Sequence, residues 1–222
     1  MPTRTPMPRT RQPARGAHQT PARAAIDYAA ARQTLGDLTD AYQWAVYART
    51  LAHPGTSAAE QLDAVVLLAP LAVLTGHADQ AVTAYRDLVD LATAALGADH
   101  ERTLHARAGL ADAHHRIGCC DQAIRDLADV YTTAERRHGP EASVTLKALT
   151  RLACLYRDCG SPDISKRCLR VAATIAARYL RIGDPLRTHI SDIARTPASE
   201  NHRAVCMQLT PSWSVRATSL AA

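Results

Sequence analysis

Apolar and small residues recur at helical spacing along the middle of the chain, and glycines interrupt the pattern. One face before the break at Gly118 and one face after it carry Leu104, Ala108, Ala111 and His115, then Ala123, Ile124, Leu127, Val130, Tyr131 and Ala134. Positions three and four apart share one side of an α-helix. Glycine adopts turn conformations that other residues resist, and Asp121 suits the first turn of a following helix. The pattern therefore predicts two helices joined by a short turn.

This two-helix pattern repeats at a fixed step of 42 residues. The step connects Gly76, Gly118 and Gly160, and also Asp79/Asp121/Asp163, Leu68/Leu110/Leu152, Gly97/Gly139, Ala81/Ala123, Thr103/Thr145 and Leu104/Leu146. A fixed period of about 20–50 residues marks an array of units that bury their apolar faces against one another. Alanine supplies 44 of the 222 residues and phenylalanine none, which favours closely packed helices over sheets. The sequence predicts an all-α solenoid of helical hairpins.

We expect this helical repeat domain to cover residues 22–195, as about four helix pairs and a capping helix. The predicted pairs are 22–35 with 38–52, 57–75 with 77–95, 101–117 with 119–137, and 142–159 with 161–181, followed by a capping helix over 186–194. Gly36 precedes Gly76 by 40 residues, so the first pair is a diverged unit. Ser57 and Glu60 have the spacing of a capping box at the start of the second pair.

The repeated unit resembles the tetratricopeptide repeat (TPR), in the 42-residue form found in kinesin light chains and many bacterial regulatory proteins. The matching packing positions are Leu110, Ala111, Gly118, Ala123, Leu127 and Val130 in one unit and Leu152, Ala153, Tyr156 and Gly160 in the next, where Ser165 replaces the preferred alanine. The linkers 96–100 and 138–141 resemble the linker of that family. The resemblance implies a right-handed superhelix that acts as a scaffold or regulator by gripping a protein segment in its concave groove.

In that family the first helix of each pair lines the groove. Counting back from the turn glycines places a set of charged and protonatable residues there: His105, Asp112, His115, Arg116, Lys147, Arg151 and Arg157. Lys147 and Arg151 are four residues apart, so they point the same way and can grip a carboxylate. The groove then has four cations against Asp112 and Asp158, which predicts an acidic peptide or protein as the partner. Chaperone-binding TPR domains also carry Lys and Arg here, but their clamp needs asparagines, and Asn201 is the only one in this chain.

The helix that begins after Ser57 is apolar on every side over residues 64–74. Two interpretations stay open: a helix buried between neighbouring units, or an apolar groove floor or oligomer contact. We expect Pro70 to kink this helix or narrow its groove face. The apolar run of eleven residues is too short to span a bilayer, so no membrane association is expected.

Charge separates the ends of the chain from its body. The net charge of +5 equals the five arginines at positions 4, 9, 11, 15 and 23, and no acidic residue precedes Asp27. We expect residues 1–21 to be a disordered basic arm and residues 196–222 a poorly ordered tail. Nucleic-acid binding is therefore expected, if at all, through the arm alone. The composition and the absence of a signal sequence predict a cytoplasmic, bacterial protein.

No enzyme motif is present. The chain lacks a phosphate-binding loop, a nucleophile elbow and a dinucleotide fingerprint. His100 and His105 are five residues apart, so a helix places them on different faces rather than together as metalloprotease ligands. We expect no catalytic site and no cofactor.

Cysteine is the remaining candidate chemistry. The turn with Cys119 and Cys120 lies one unit before the turn with Cys159, and His114 and His115 lie one helical turn upstream. These soft ligands suggest an alternative function as a zinc or thiol sensor. Small thiols that fill helix interfaces in a reducing compartment are the favoured interpretation, so no metal is predicted.

Overall fold

Nine α-helices occupy the described part of the chain, which a computed structural model provides for residues 20–53 and 55–195. They are α1 (Pro21–Thr34), α2 (Leu38–Leu51), α3 (Ala58–Leu74), α4 (Ala78–Leu96), α5 (Glu101–Arg116), α6 (Cys120–His138), α7 (Ser143–Asp158), α8 (Pro162–Tyr179) and α9 (Pro185–Arg195). Each end lies within two residues of its predicted position. The all-α prediction is confirmed, because no strand occurs within these two ranges.

The helices form four units, α1–α2, α3–α4, α5–α6 and α7–α8, and α9 follows as the cap. Each helix packs against the next one in the chain, as a solenoid requires. The first helices also touch across units, since α1 contacts α3 and α5 contacts α7. Because α9 contacts both α8 and α7, it takes the place that the first helix of a fifth unit would have.

The recurring glycines end helices in the left-handed region of backbone space. Gly76 and Gly118 have φ of 81° and 82° between the two helices of a unit, where the Cβ of another residue would be strained. The linkers between units use Gly139 with φ of 89°. The Thr145 hydroxyl donates to the Gly139 carbonyl oxygen at 2.8 Å, and Thr103 makes the same bond to Gly97 one unit earlier. This bond explains why threonine recurs with the 42-residue step.

The core runs continuously from one unit into the next. Leu104 from α5, Leu127 from α6 and Leu152 from α7 are almost wholly buried in one cluster. Small residues allow the helices to approach closely, because Ala81, Ala123 and Ser165 occupy equivalent positions and are each at most 2% exposed. The repeat signal in the sequence is therefore a packing signal.

The apolar helix α3 combines both interpretations of its sequence. Val65 and Leu71 are fully buried between neighbouring helices, whereas Val66 is 49% exposed. The helix continues through Pro70 to Leu74, so the proline does not end it. The carbonyl that loses its usual donor belongs to Val66, whose exposure lets water take over that bond.

The first helix begins earlier than the sequence indicated. The Thr20 side chain accepts a hydrogen bond from the Arg23 amide at 3.1 Å, and Pro21 is the first helical residue. Arg23 pairs with Asp27 at 3.1 Å and with Asp63 at 2.7 Å, so it belongs to the helical domain rather than to a basic arm. The predicted arm and tail otherwise lie in residues 1–19 and 196–222, outside the described residues. None of the helices described is long and apolar enough to cross a membrane.

Candidate functional site

Two adjoining cavities lie along the side of the solenoid where the first helices meet. The larger, of about 650 Å³, has an apolar floor from α3, α4, α5, α6 and α7 that includes Val66, Pro70, Tyr85, Leu88, Leu104, Val130 and Val144. The smaller, of about 590 Å³, lies between α7 and the capping helix and includes Thr150, Cys154, Pro185, Leu186, His189 and Ile193. Both volumes fall within the range of about 300–1,000 Å³ typical of ligand sites.

Three of the predicted site residues form the wall that the two cavities share. His105 from α5 and Lys147 and Arg151 from α7 line both cavities. Lys147 makes no ion pair within residues 20–53 and 55–195, so its ammonium group is available to a ligand. The structure thus brings together a basic edge and an apolar floor.

Asp112 neutralises part of this edge from below. Its carboxylate is 3.0 Å from the Arg151 guanidinium, and both side chains are about one-third exposed. Burial raises the pKa of Asp112, and the nearby Arg151 opposes that shift. Arg151 is therefore held in place by Asp112 and keeps only part of its charge for a ligand.

His105 stands among cations. Burial lowers the pKa of His105, and the positive charges of Arg151 and Lys147 lower it further. The imidazole is consequently neutral near pH 7 and gains its charge only in more acidic solution than an ordinary histidine.

Two predicted site residues lie elsewhere. Arg157 is 3.2 Å from Asp158 and donates to the Ile193 carbonyl oxygen at 3.2 Å, so it fastens α9 to α7. Arg116 is exposed at the end of α5 and lines neither cavity. These placements correct the predicted set, because helical register alone did not show that α9 covers one end of the row.

The charge count of the groove also needs correction. The larger cavity carries Arg102, Lys147 and Arg151 against Asp63 and Glu101, a net of one positive charge with histidine neutral. The sequence prediction of four cations against two acids omitted both of those acids. The groove is thus mildly rather than strongly basic.

The turn residues His115, Cys120 and Cys159 lie together, outside both cavities. One ligand atom from each lies within 4.8 Å of the others. His114 points away and has its Nδ1 3.1 Å from an Asp126 carboxylate oxygen, while Cys119 is exposed. The predicted proximity of the two turns is therefore correct for one histidine and two cysteines.

Sequence reasoning missed the contributions of the second helices. Tyr85 from α4 lines the larger cavity and packs against Gly109 so closely that a Cβ there would lie 2.1 Å from the ring. A glycine inside a helix was the available signal, since it marks a close approach. Among the apolar residues proposed for binding, Val66 lines the cavity, but Leu67 and Val73 pack into core clusters.

The fold defines this chain as an all-helical solenoid of the TPR-like class. Solved structures resemble it over most of its length. The nearly identical TPR-like repeats assigned to a kinesin light chain of Podosopora anserina align with a TM-score of 0.60 and 19% identity, covering 89% of this chain and 100% of that chain. BtubC (BKLC) from P. vanneervenii aligns with a TM-score of 0.59 and 16% identity, covering 84% of this chain and 76% of that one. No family model matches the chain, and a search of curated proteins finds no match.

These similarities confirm the TPR-type fold that the repeat pattern predicted. At such identities they show the fold alone. A TPR-like solenoid is generally a protein-interaction scaffold, with a concave surface rather than a catalytic centre as its working part.

Proposed function

We propose that this protein is a scaffold or regulator that binds an acidic segment of a partner protein along its concave groove. The observation that carries the proposal is the shared wall of His105, Lys147 and Arg151 above an apolar floor. An extended or helical segment can place apolar side chains on the floor while its carboxylates reach the wall. Arg151 offers a planar fork for a carboxylate, and Lys147 offers a mobile point charge.

The energetics assign different roles to the two parts of the groove. Ion pairs at an exposed rim contribute under about 1 kcal/mol each. Affinity must therefore come mainly from apolar contact with residues such as Val66 and Leu88. The cations set the orientation of the segment and its rate of association, which is why the effect of charge should depend on salt.

We expect an acidic amphipathic probe to reveal this preference. A fluorescent peptide in which leucine and glutamate alternate should bind more tightly than its glutamine counterpart at low salt. The double substitution Lys147→Glu/Arg151→Glu should weaken binding of the acidic probe roughly tenfold, because two rim interactions become repulsive. Fluorescence anisotropy at low and moderate salt measures both effects.

The matched control is Arg136→Glu, an exposed change on α6 that leaves both cavities untouched. It changes one charge outside the groove, so it should leave affinity nearly unaltered at moderate salt. Lys147→Glu alone avoids disturbing the Arg151–Asp112 pair and should give a smaller loss in the same direction. Equal affinity in the double variant and the wild type at both salt concentrations would place the binding surface outside this groove.

Binding of acidic ligands should tighten as the pH falls. The lowered pKa of His105 means that its protonation begins below the ordinary value of about 6.5. Each proton gained adds positive charge to the shared wall, while ligand glutamates stay ionised down to about pH 4.3. Affinity for the acidic probe should therefore be flat from about pH 8 to 7 and rise towards about pH 5.5.

The variant His105→Gln tests which group is responsible, since it keeps a polar side chain but removes the titration. It should reduce the increase in affinity below about pH 6.5. An increase of the same size in this variant and the wild type would assign the pH effect to another group.

A further inference from the structure

His115, Cys120 and Cys159 are a ligand set that the groove does not use. Cys120 and Cys159 are both 0% exposed, and the Nε2 atom of His115 is also buried. They come from three successive elements: His115 from the last turn of α5, Cys120 from the first residue of α6, and Cys159 from the residue after α7. Two thiols and an imidazole therefore converge at the junction between the third and fourth units.

Their separation suits a small metal ion. Zinc lies about 2.3 Å from thiolate sulfur and about 2.0–2.1 Å from imidazole nitrogen, so three ligands around it are about 4 Å apart or less. The three atoms here lie within 4.8 Å of one another. Side-chain adjustments of under about 1 Å would therefore complete the first coordination shell.

The charges of such a site also balance. Two thiolates and a neutral imidazole carry two negative charges, which one Zn²⁺ ion neutralises. That balance matters at this junction, because an uncompensated charge in a buried place is costly. Three protein ligands leave a fourth position for water, as in other three-ligand zinc sites.

Packing does not require these residue types. The positions 42 residues earlier are Val73, Ala78 and Ile117, so the corresponding positions at the preceding junction are wholly apolar. The same fold is thus built there without a thiol or an imidazole. Ligand chemistry occurs at one junction of the array and is not part of the repeat.

We propose that His115, Cys120 and Cys159 bind a Zn²⁺ ion that ties the turn of the third unit to the end of α7 in the fourth. This site goes beyond groove binding and is independent of it. The ion would resist separation of the two units that carry the shared basic wall, since His105 belongs to α5 and Lys147 to α7.

Metal analysis of the reduced full-length protein, after exposure to Zn²⁺ and removal of excess ion, tests the site. We expect one zinc per chain and a higher melting temperature in zinc than in chelator, because a ligand that binds only the folded state stabilises it. Co²⁺ as a spectroscopic substitute should show thiolate-to-metal charge transfer. Cys120→Ala and Cys159→Ala should each abolish the bound zinc, the increase in melting temperature and the charge-transfer signal.

Cys168→Ala is the matched control, since it removes a partly buried cysteine far along α8 and should keep the zinc. Cys120→Ala is well suited to the test because alanine occupies the equivalent position 78. Reduced wild type that retains no zinc would overturn the proposal. So would zinc retained equally by Cys120→Ala and Cys159→Ala, or lost from Cys168→Ala. A Cys120–Cys159 disulfide in protein that takes up no zinc after reduction would identify a thiol pair instead.

Discussion

Ala123→Arg should lower the free energy of unfolding by about 3 kcal/mol or more, because it forces a long cation into a closed helix contact. Ala123 is 0% exposed and belongs to the cluster that contains Leu104, Leu127 and Leu152. The clash would separate α6 from both α5 and α7, so the damage should extend over two neighbouring units. Urea or thermal unfolding followed by circular dichroism measures the loss.

A control for this substitution exists within the repeat itself. Ala95 near the end of α4 is exposed, and the residue 42 positions later is Arg137. Ala95→Arg therefore introduces the same side chain where the next unit already carries one, and it should change stability by less than about 0.5 kcal/mol. Wild-type stability in Ala123→Arg would mean that the helical register of the units is wrong.

Ile190→Asp should undock the capping helix and cost about 3 kcal/mol, since it buries a carboxylate in place of an apolar side chain. Ile190 is 0% exposed and packs on Leu146, Leu149, Ala172 and Ala176. It is the one buried residue of α9. With α9 released, the apolar ends of α7 and α8 become exposed and the smaller cavity loses a wall, so limited proteolysis at Arg187 and Arg195 should accelerate.

The exposed neighbour Ser191 provides the comparison, because Ser191→Asp adds the same charge to the same helix without burying it. This variant should melt close to the wild type and resist cleavage equally. If Ile190→Asp also behaves like the wild type in both assays, α9 is not required to cover the last unit.

Local chemistry accounts for how much of the fold could be predicted. A fixed step of 42 residues specifies equivalent turns, because a glycine with positive φ and an acidic first-turn residue act within a few residues of one another. The alanines at positions 81 and 123 indicate close helix contacts for the same reason, since only a small side chain fits. The helix ends, their pairing and the repeat class were therefore predictable from the sequence.

The candidate site was predictable only in part. Lys147 and Arg151 share a helical face, and this local relation suffices to place both on the groove wall. Arg157 follows along the same helix, yet α9 lies over it and takes its hydrogen bond. No periodicity within α7 contains that information, because it depends on where a helix about thirty residues later docks.

The sequence by itself determined the elements of this protein, their turns and the class of fold, since these depend on short-range sterics and on a repeated packing pattern. The tertiary structure alone decided which side chains meet between units. It brought Tyr85 against Gly109, paired Arg151 with Asp112, and placed His115 beside Cys120 and Cys159. Those meetings depend on the angle and offset at which neighbouring units stack, and many side chains across each junction set these together.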